Sequence, residues 1–345
     1  MARRVLERRP TSRRHPDEQP TPVGPTASAF RTLRPAEVSA SALPLVGAKA
    51  AALARMALGD IPVPDFFVIP AGAFALHLAQ NGIAWPESVN LPADLGRLTA
   101  LRAEIGAAAV PEVVSEPALD AYDRLCRRSG HAVVAVRSSG AEEDAASASF
   151  AGQFGSVLGV RGAPALLAGL KECWMSYLSD RSLRYRAGRG IPLGPAPSFG
   201  VIVQVQVFSE KAGVLFTVHP LEPDGVTSYI EANFGTGESV VGGLTTPDAV
   251  TVDRSDVGVV DMHVATKRRM TSVSPERAGS RIVELADDRK NVPVLTDSEA
   301  KRIARMGLHI EELFSGPQDI EWAFDSHGLW ILQSRPITGL ASEAG

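Results

Sequence analysis

The sequence predicts an α+β chain of two unequal lobes. Helix-like patterns dominate the part before a proline-rich segment at residues 191–197, and strand-like runs dominate the part after it. Such segregation of helices and strands is typical of α+β folds. A chain of 345 residues is long enough for two lobes with a sizeable core. We therefore predict a first lobe at residues 31–200 and a second lobe at residues 201–345.

Residues 1–30 have a composition unlike that of the rest of the chain. Arginines lie among prolines, and no apolar periodicity is present. The acidic residues and prolines in this segment argue against an amphipathic transit peptide. We predict a disordered tail, with an overextended start as the alternative, and leave the segment out of the fold.

Composition argues against several classes of protein. The formal charge of −4 gives no electrostatic reason to expect a nucleic-acid partner. No run approaches eighteen consecutive apolar residues, so a membrane-spanning helix is not expected. Cys126 and Cys173 lack metal-site spacing and are too few for a disulfide framework, which favours a cytoplasmic protein.

Five segments of the first lobe share strong helix formers or apolar residues at helical spacing. They are residues 46–56, 71–81, 98–108, 116–128 and 165–187. Residues 132–137 instead form a continuous apolar run that ends at Arg137, as expected for a buried strand with a functional group at its end. Residues 138–149 are small and polar, and they predict a long loop.

Strand-like runs fill most of the second lobe, and a helix follows them. The runs are residues 200–208, 213–218, 227–231, 249–252 and 257–260. Thr296 and Glu299 form a capping-box signature ahead of apolar residues at helical spacing. The signature predicts the start of the last helix.

Residues 317–336 predict a β-hairpin whose two strands meet at the three-residue loop Ser326-His327-Gly328. If that loop sets the register, Glu321 lies opposite Gln333, and alternation adds Arg335 to the same face. The opposite face then carries an apolar set suited to a core. Its members are Ile320, Trp322, Phe324, Trp330 and Leu332.

The polar face of this predicted hairpin indicates nucleotide chemistry. The side-chain oxygens of Glu321 and Gln333 suit Mg²⁺, and the guanidinium of Arg335 suits a phosphate. The Gly-x-x-x-x-Gly-Lys-Ser/Thr pattern of a P-loop is absent from the sequence, so other basic or glycine-rich elements would have to hold the phosphates.

Candidates for that role lie in the first lobe. Lys49 stands at a predicted helix start, where a bound anion would offset the helix dipole, although an exposed surface lysine is the alternative. Arg137 needs a partner at the end of its strand, and either a structural carboxylate or a phosphate would serve. Gly152 and Ser156 lie in a run of small residues that forms either an anion-binding nest or a plain turn.

Three further polar residues lie in the second lobe. Gln204 and Gln206 share one face of an apolar strand, where an adenine edge or a neighbouring backbone could satisfy their amides. Glu231 precedes a glycine-rich segment, and we predict a ligand-facing position for it, with solvent exposure as the alternative. The seven histidines are scattered along the chain and are expected to be structural or exposed rather than catalytic.

Nine ordered blocks of sequence, spread over about residues 40–340, resemble one family. The blocks are Val46-Gly-Ala-Lys49, Ala135-Val-Arg-Ser-Ser139, Ser149-Phe-Ala-Gly-Gln153, Val203-Gln204, Gly213-Val-Leu-Phe-Thr217, Glu231-Ala-Asn-Phe-Gly235, Thr246-Pro-Asp248, Asp319-Ile-Glu-Trp322 and Gln333-Ser-Arg-Pro336. Together they resemble the N-terminal ATP-binding domain of phosphoenolpyruvate synthase, pyruvate phosphate dikinase and rifampin phosphotransferase.

The resemblance implies an ATP-grasp-like fold that binds ATP and Mg²⁺ in a cleft between its two lobes. It also implies roles for the candidate residues: Lys49 and Arg137 as phosphate ligands, Gly152 and Ser156 in a phosphate loop, Gln204 at the hinge beside the adenine, Glu321 and Gln333 as the metal pair, and Arg335 at the terminal phosphates. We add Glu231 to the ATP-binding set. His219 and Gly155 depart from the family pattern, which usually has Asp or Asn and often Glu there.

The resemblance further implies transfer of the β-phosphoryl group of ATP to a histidine on a swivelling domain, with release of AMP and phosphate. The histidine-bearing segment is not present in this sequence, so we expect a separate histidine-domain partner protein and a final acceptor such as pyruvate. A nucleotide-binding module without chemistry, an isolated domain of a longer dikinase and a direct small-molecule kinase are the alternatives.

Overall fold

The computed structural model describes residues 30–86, 89–90, 93–140, 144–145, 148–149, 155–193, 196–222 and 225–337. The predicted tail, apart from Phe30, and the predicted phosphate-loop residue Gly152 lie outside these ranges. Within them, no helix is both long enough and apolar enough to cross a membrane.

Helices account for much of the first lobe. The α-helices of the described residues are α1 (Leu43–Val46), α2 (Ala48–Leu58), α3 (Gly72–Gln80), α4 (Leu95–Ala107), α5 (Glu112–Ser129), α6 (Ala163–Ser176), α7 (Asp180–Arg189), α8 (Glu238–Val241) and α9 (Asp297–Phe314). Short 3₁₀ helices are Pro35–Glu37, Ala40–Ala42 and Asp287–Arg289.

The strands of the described residues are β1 (Phe66–Ile69), β2 (Val133–Gly140), β3 (Asp144–Ala145), β4 (Ala148–Ser149), β5 (Ser156–Arg161), β6 (Phe199–Val205), β7 (Lys211–Phe216), β8 (Thr227–Phe234), β9 (Asp248–Asp253), β10 (Val259–His263), β11 (Arg269–Ser274), β12 (Arg277–Glu284), β13 (Gln318–Asp325) and β14 (Gly328–Pro336). A four-stranded sheet has the order β1-β6-β2-β5, and a six-stranded sheet has the order β10-β9-β8-β7-β13-β14. All neighbouring strands in both sheets are antiparallel. Strands β11 and β12 form a separate hairpin.

The four-stranded sheet has two different faces. Val134, Val136 and Val203 point to a core that α3, α4, α5 and α6 complete, with Trp174 of α6 fully buried in it. Because side chains alternate along a strand, Arg137 and Gln204 lie on the opposite face. Ile202 on that face belongs to the core shared with the six-stranded sheet, so the polar side chains face the other lobe.

One face of the six-stranded sheet packs against α9 and α2. Ile320 and Trp322 of β13 are fully buried there with Ile303 and Ile310 of α9. Helix α9 begins as predicted: the Thr296 hydroxyl accepts the Glu299 N–H at 3.3 Å, and the Glu299 carboxylate accepts the Thr296 N–H at 2.9 Å. The opposite face of the sheet is therefore left for polar residues.

Two predicted segments differ from the structure. The helix predicted at residues 165–187 is wrong in its continuity, because α6 ends at Ser176 and Ser179 caps a new helix by accepting the Ser182 N–H at 3.3 Å. The loop predicted from residue 138 begins later, because Ser138, Ser139 and Gly140 pair with β6. A neighbouring strand that completes the ladder lets these small polar residues continue a strand.

Strand β6 begins at Phe199 and lies between β1 and β2. The four-stranded sheet thus contains residues from both sides of the predicted lobe boundary at 200 and 201, and that boundary stays a prediction. Strand β5 and the β11–β12 hairpin were not predicted. Their sequences are rich in Ser, Gly and Arg and lack clear alternation.

Candidate functional site

The face of the six-stranded sheet that points away from α9 carries a row of residues that pair directly across four strands. Glu231 of β8 pairs with Val214 of β7, Val214 with Glu321 of β13, and Glu321 with Gln333 of β14. Directly paired residues of an antiparallel sheet place their side chains on the same face. The predicted opposition of Glu321 and Gln333 is confirmed, and the structure adds Glu231 to the same line.

A second row lies two residues further along the strands. Asp319 pairs with Arg335 on one side and with Phe216 on the other, and Phe216 pairs with Tyr229. The Arg335 guanidinium donates to Asp319 Oδ2 from Nε at 2.8 Å and from Nη2 at 2.5 Å. Arg335 therefore shares the face of Glu321, as predicted, and Asp319 fixes its orientation.

Arg137 reaches this face from the other sheet. Its Nη2 donates to Glu321 Oε2 at 2.7 Å, and its Nη1 donates to the Leu332 carbonyl at 2.9 Å. The side chains of Arg137 and Glu321 are 14% and 25% exposed, so the ion pair is largely shielded from water. The contact joins the two sheets at the centre of the polar face.

The register of the hairpin explains why the Leu332 carbonyl is accessible. Asp325 pairs with Gly328 across a two-residue turn, and a bulge between Glu321 and Trp322 leaves Leu332 without a partner on β13. A bulge residue is left out of the ladder, so its backbone groups can bind elsewhere. The free Leu332 carbonyl accepts a hydrogen bond from Arg137 Nη1.

The same bulge corrects part of the sequence prediction. The three-residue loop was wrong, and so was the placement of Trp330 and Leu332 on the core face. Leu329 and Ile331 take the core positions beside Trp322 instead. Trp330 and Leu332 pack on the site face against Val207, Ala212 and Ala323, which we call the apolar patch.

Ser156 and the first turn of α2, which carries Lys49, both contact β2, the strand of Arg137. Ser156, at the start of β5, pairs directly with Arg137 and is exposed on the same face. Lys49 lies in the first turn of α2, and the N–H of its neighbour Ala50 donates to Ser139 Oγ at 3.0 Å. Ser139 is two residues after Arg137 on β2.

Gln204 of β6 and Gln206, which directly follows β6, have backbone partners. Gln204 is buried, and its Nε2 donates to the Pro64 carbonyl at 3.5 Å. Gln206 accepts the Gly159 N–H at 3.3 Å and donates to the Val207 carbonyl at 2.8 Å. The neighbouring-backbone alternative therefore accounts for these amides in the structure, and an adenine contact by Gln204 stays a prediction.

Burial sets the protonation behaviour of the two acids that flank Glu321. Desolvation raises the pKa of Asp319, while the nearby Arg335 opposes that rise. Desolvation also raises the pKa of Glu231, and the charge of Asp319 adds to the effect. Both raised pKa values mean that burial favours the neutral form of these two acids.

Sequence reasoning missed Asp319 and Ser139 as site residues, although both lie in the quoted blocks. Period-two alternation already places Asp319 on the face of Glu321 and could have found it. Ser139 gave no such signal, because its partner lies 89 residues earlier in the chain. His219 is buried, accepts the Leu221 N–H at 3.2 Å and contacts Tyr229 edge-on, as expected for a structural histidine.

Glu321 and Gln333 are the candidate oxygen ligands for Mg²⁺ at this site. Across the described residues, no group of three or more His, Cys, Asp and Glu side chains is arranged to hold a metal ion. Mg²⁺ in nucleotide sites is bound by one or two protein oxygen ligands together with phosphates and water. The adjacent carboxylate of Glu321 and amide of Gln333 fit that smaller requirement.

Several known proteins are similar in sequence to this chain. They include a probable phosphoenolpyruvate synthase from Methanocaldococcus jannaschii, which is 35% identical over 88% of this chain and 26% of that protein. A rifampicin phosphotransferase from Streptomyces sp is 36% identical over 88% of this chain and 35% of that protein. The chain thus spans 26% and 35% of the length of these two relatives.

A D-alanine-D-alanine ligase structure from Coxiella burnetii aligns over 92% of this chain and 54% of that chain, at 10% identity and a TM-score of 0.34.

The family described as "Pyruvate phosphate dikinase, AMP/ATP-binding domain" matches residues 43–345. That match and the two facing sheets confirm the predicted α+β, ATP-grasp-like fold, and the match supports ATP as the ligand. With nearly the whole chain matched, the protein belongs to the family of pyruvate phosphate dikinase AMP/ATP-binding domains.

Proposed function

We propose that this chain is the ATP-binding phosphotransfer subunit of a split, phosphoenolpyruvate-synthase-like enzyme. It uses Mg-ATP to phosphorylate a histidine on a partner protein, and AMP and phosphate are released. The single observation that supports this best is the contact of Arg137 with Glu321, which joins the two lobes beside Gln333 and Arg335.

The site face has a polarity gradient that orients a nucleotide. The apolar patch of Val207, Ala212, Ala323, Trp330 and Leu332 lies next to the hinge segment that connects β6 to β7. The acidic residues and Arg335 lie further along the same strands. An adenine ring favours the apolar patch, and a triphosphate favours the charged rows, so we orient ATP with its base at the hinge.

Basic and hydroxyl groups from both lobes would surround the triphosphate in this orientation. Lys49, Arg137 and Arg335 would neutralise its charge, and Ser156 would donate a hydrogen bond, as would Gly152 of the predicted phosphate loop. Fixed cations around a transferring phosphoryl group stabilise the charge of the transition state. Closure of the lobes would also exclude water.

Glu321 and Gln333 would hold Mg²⁺, and Glu231 stands in the same row. When bound, the ion would shield phosphate charge and polarise the phosphoryl oxygens. Arg137 would then exchange its contact with Glu321 for a phosphate oxygen. Asp319 would keep Arg335 oriented towards the terminal phosphates.

In the proposed reaction, a histidine nitrogen of the partner forms a bond to the β-phosphorus of ATP. The bond between that phosphorus and the oxygen that bridges it to the α-phosphorus breaks, and AMP leaves. After AMP leaves and the site opens to water, hydrolysis of the remaining β–γ linkage releases phosphate and leaves a phosphohistidine. The phosphohistidine would then phosphorylate pyruvate or another small molecule, in line with the names of the relatives.

The proposal is tested by nucleotide analysis after incubation of this chain with ATP and Mg²⁺, with and without a candidate histidine-domain protein sought among the products of the neighbouring genes. We expect AMP and phosphate only when both proteins are present. Glu321→Ala, Gln333→Ala and Arg335→Ala should each abolish AMP formation. Arg305→Ala is the matched control, because Arg305 is an exposed residue of α9, on the other side of the sheet. Wild-type turnover in the three site variants would refute the assignment.

The second candidate is a nucleotide-binding or regulatory module, or an isolated domain of a longer dikinase, that binds ATP without consuming it. The limited share of each relative that the chain covers favours this alternative. Binding of ATP with no product in either incubation would support it. ADP as the product would instead favour a direct small-molecule kinase.

A further inference from the structure

The first turn of α2 is capped by a serine from another element. Ser139 of β2 is fully buried, and its Oγ accepts the Ala50 N–H at 3.0 Å. The N-cap residue of α2 is Gly47, which has no side chain to satisfy the first backbone donors. Ser139 therefore caps α2 although it lies 89 residues away in the sequence, where a local N-cap residue usually accepts this N–H.

The approach of α2 to β2 at this point is very close. Gly47 has a φ of +80°, and a Cβ built on it would lie 2.0 Å from the Ser139 carbonyl oxygen and 2.6 Å from Ser139 Oγ. Only glycine combines this backbone conformation with such an approach. The start of α2 is thus seated directly on the end of β2.

The contact between α2 and β2 connects the elements that carry Lys49 and Arg137. Lys49 is next to Ala50 in the first turn of α2, and Arg137 is two residues before Ser139 on the same side of β2. A change at Ser139 would let the turn that carries Lys49 shift with respect to Arg137. Arg137 itself is held by Glu321 and the Leu332 carbonyl.

We propose that Ser139 is a positioning residue for the triphosphate site and acts through Lys49 by holding the first turn of α2 against β2. The proposal rests on the proposed function, since it assumes that Lys49 binds a phosphate. It assigns to Ser139 a role in polyphosphate affinity and none in the recognition of the base.

The test compares the affinities of Ser139→Ala for ATP and for adenosine, each measured by competition with a fluorescent ATP analogue. We expect ATP binding to weaken roughly fivefold, in keeping with the loss of a helix cap, while adenosine binding stays unchanged. Ser138→Ala is the matched control: Ser138 is the adjacent buried serine of β2 and points to the opposite face. The control should change neither affinity.

A double-mutant cycle with Lys49→Met identifies the route of the effect. If Ser139 acts through Lys49, the loss caused by Ser139→Ala should vanish in the Lys49→Met background. Equal losses for ATP and adenosine, or losses that add to that of Lys49→Met, would overturn the proposal. Should Ser139→Ala not fold, Ser139→Cys keeps the side-chain size with a weaker acceptor, and the same outcomes apply.

Failure of this inference can be told from failure of the proposed function. If the wild-type chain binds no ATP, the proposed function and this inference both fall. If the wild type binds ATP and Ser139→Ala binds it equally well, only the inference about Ser139 falls.

Discussion

At the scale of single residues, Arg137 and Glu321 form the ion pair at the centre of the candidate site. A guanidinium at the end of a largely buried strand needs a partner, and in the structure it has both the Glu321 carboxylate and the Leu332 carbonyl. Glu321 is also the proposed metal ligand. On that proposal, Arg137 and a divalent cation would compete for one carboxylate, and a triphosphate that attracts Arg137 would release it.

We predict that Arg137→Met increases the affinity of the chain for Mn²⁺ without nucleotide. The gain should be roughly five- to tenfold, because a positive charge within 3 Å of the carboxylate is removed. Mn²⁺ binding can be followed by electron paramagnetic resonance of the free ion. Arg335→Met is the matched control, since it removes a guanidinium that pairs with Asp319 rather than Glu321. Equal gains in both variants would contradict a specific competition for Glu321.

We also predict a pH-dependent stability effect of Glu231. Burial, and then the charge of Asp319, raise the pKa of Glu231 above its ordinary value. The folded state then binds the proton more tightly than the unfolded state does. The resulting stabilisation is complete below the unfolded pKa and is lost as pH rises through the raised folded pKa.

Glu231→Gln removes the ionisable group and with it the loss of stability at high pH. The free energy of unfolding of the variant should therefore exceed that of wild type at neutral pH. This difference should become smaller in acid. Urea unfolding at both pH values measures it. Glu222→Gln, at an exposed position of the β7–β8 connection, is the control. A gain for Glu231→Gln of equal size at both pH values would show that desolvation of the charged form is not the cause.

At the scale of elements, the β13–β14 hairpin shows how far a sequence pattern reaches. The pairing of Glu321 with Gln333 was predicted correctly, from a register that an assumed three-residue loop would set. The route to that pairing was wrong, because a two-residue turn and a bulge replace the predicted three-residue loop. Both arrangements pair Glu321 with Gln333. Between the bulge and the turn they differ, because the structure places Leu329 and Ile331 on the core face in place of Trp330 and Leu332. A bulge is decided by packing against neighbouring elements, which alternation does not encode.

Helix α9 marks the other extreme. Its start at Thr296 was predicted from a local capping box, and every hydrogen bond of that box is local. The break between α6 and α7 was missed even though Ser179 is a good N-cap residue, because the apolar stripe continues across it. Local signals therefore predict helix ends well only where the apolar pattern agrees with them.

At the scale of the whole molecule, the β11–β12 hairpin connects the two large sheets. On one side, Gly159 of β5 lies against Gly279 of β12, and Arg161 donates to the Pro275 carbonyl at 2.5 Å. On the other side, the Thr271 carbonyl accepts the Thr236 N–H at 2.7 Å, just beyond β8. The hairpin thus contacts both large sheets.

We predict that Gly159→Ala loosens this bridge. A Cβ at Gly159 would lie 2.6 Å from the Gly279 nitrogen, so the hairpin must move away from β5. Amide exchange should accelerate in β11 and β12, and a bound fluorescent ATP analogue should dissociate several-fold faster. Hydrogen-exchange mass spectrometry and stopped-flow dissociation measure the two effects.

Gly162→Ala is the matched control for that experiment. Gly162 also has a positive φ, of +80°, but no atom lies within 4 Å of its built Cβ. Both variants place alanine at a positive φ, which strains an L residue, and only Gly159→Ala meets the hairpin. Faster exchange in β11 and β12 of the Gly162→Ala variant as well would attribute the effect to backbone strain instead of to the bridge.

The sequence by itself determined the α+β class, the family resemblance, the start of α9 and the alternation that gathers Glu321, Gln333 and Arg335, because each depends on short-range periodicity or on ordered local blocks. The tertiary structure alone decided that Arg137 crosses to Glu321, that Ser139 caps α2 and that β6 lies between β1 and β2. These relations join residues tens to hundreds of positions apart. They follow from which surfaces pack together, and no local pattern of side chains specifies that choice.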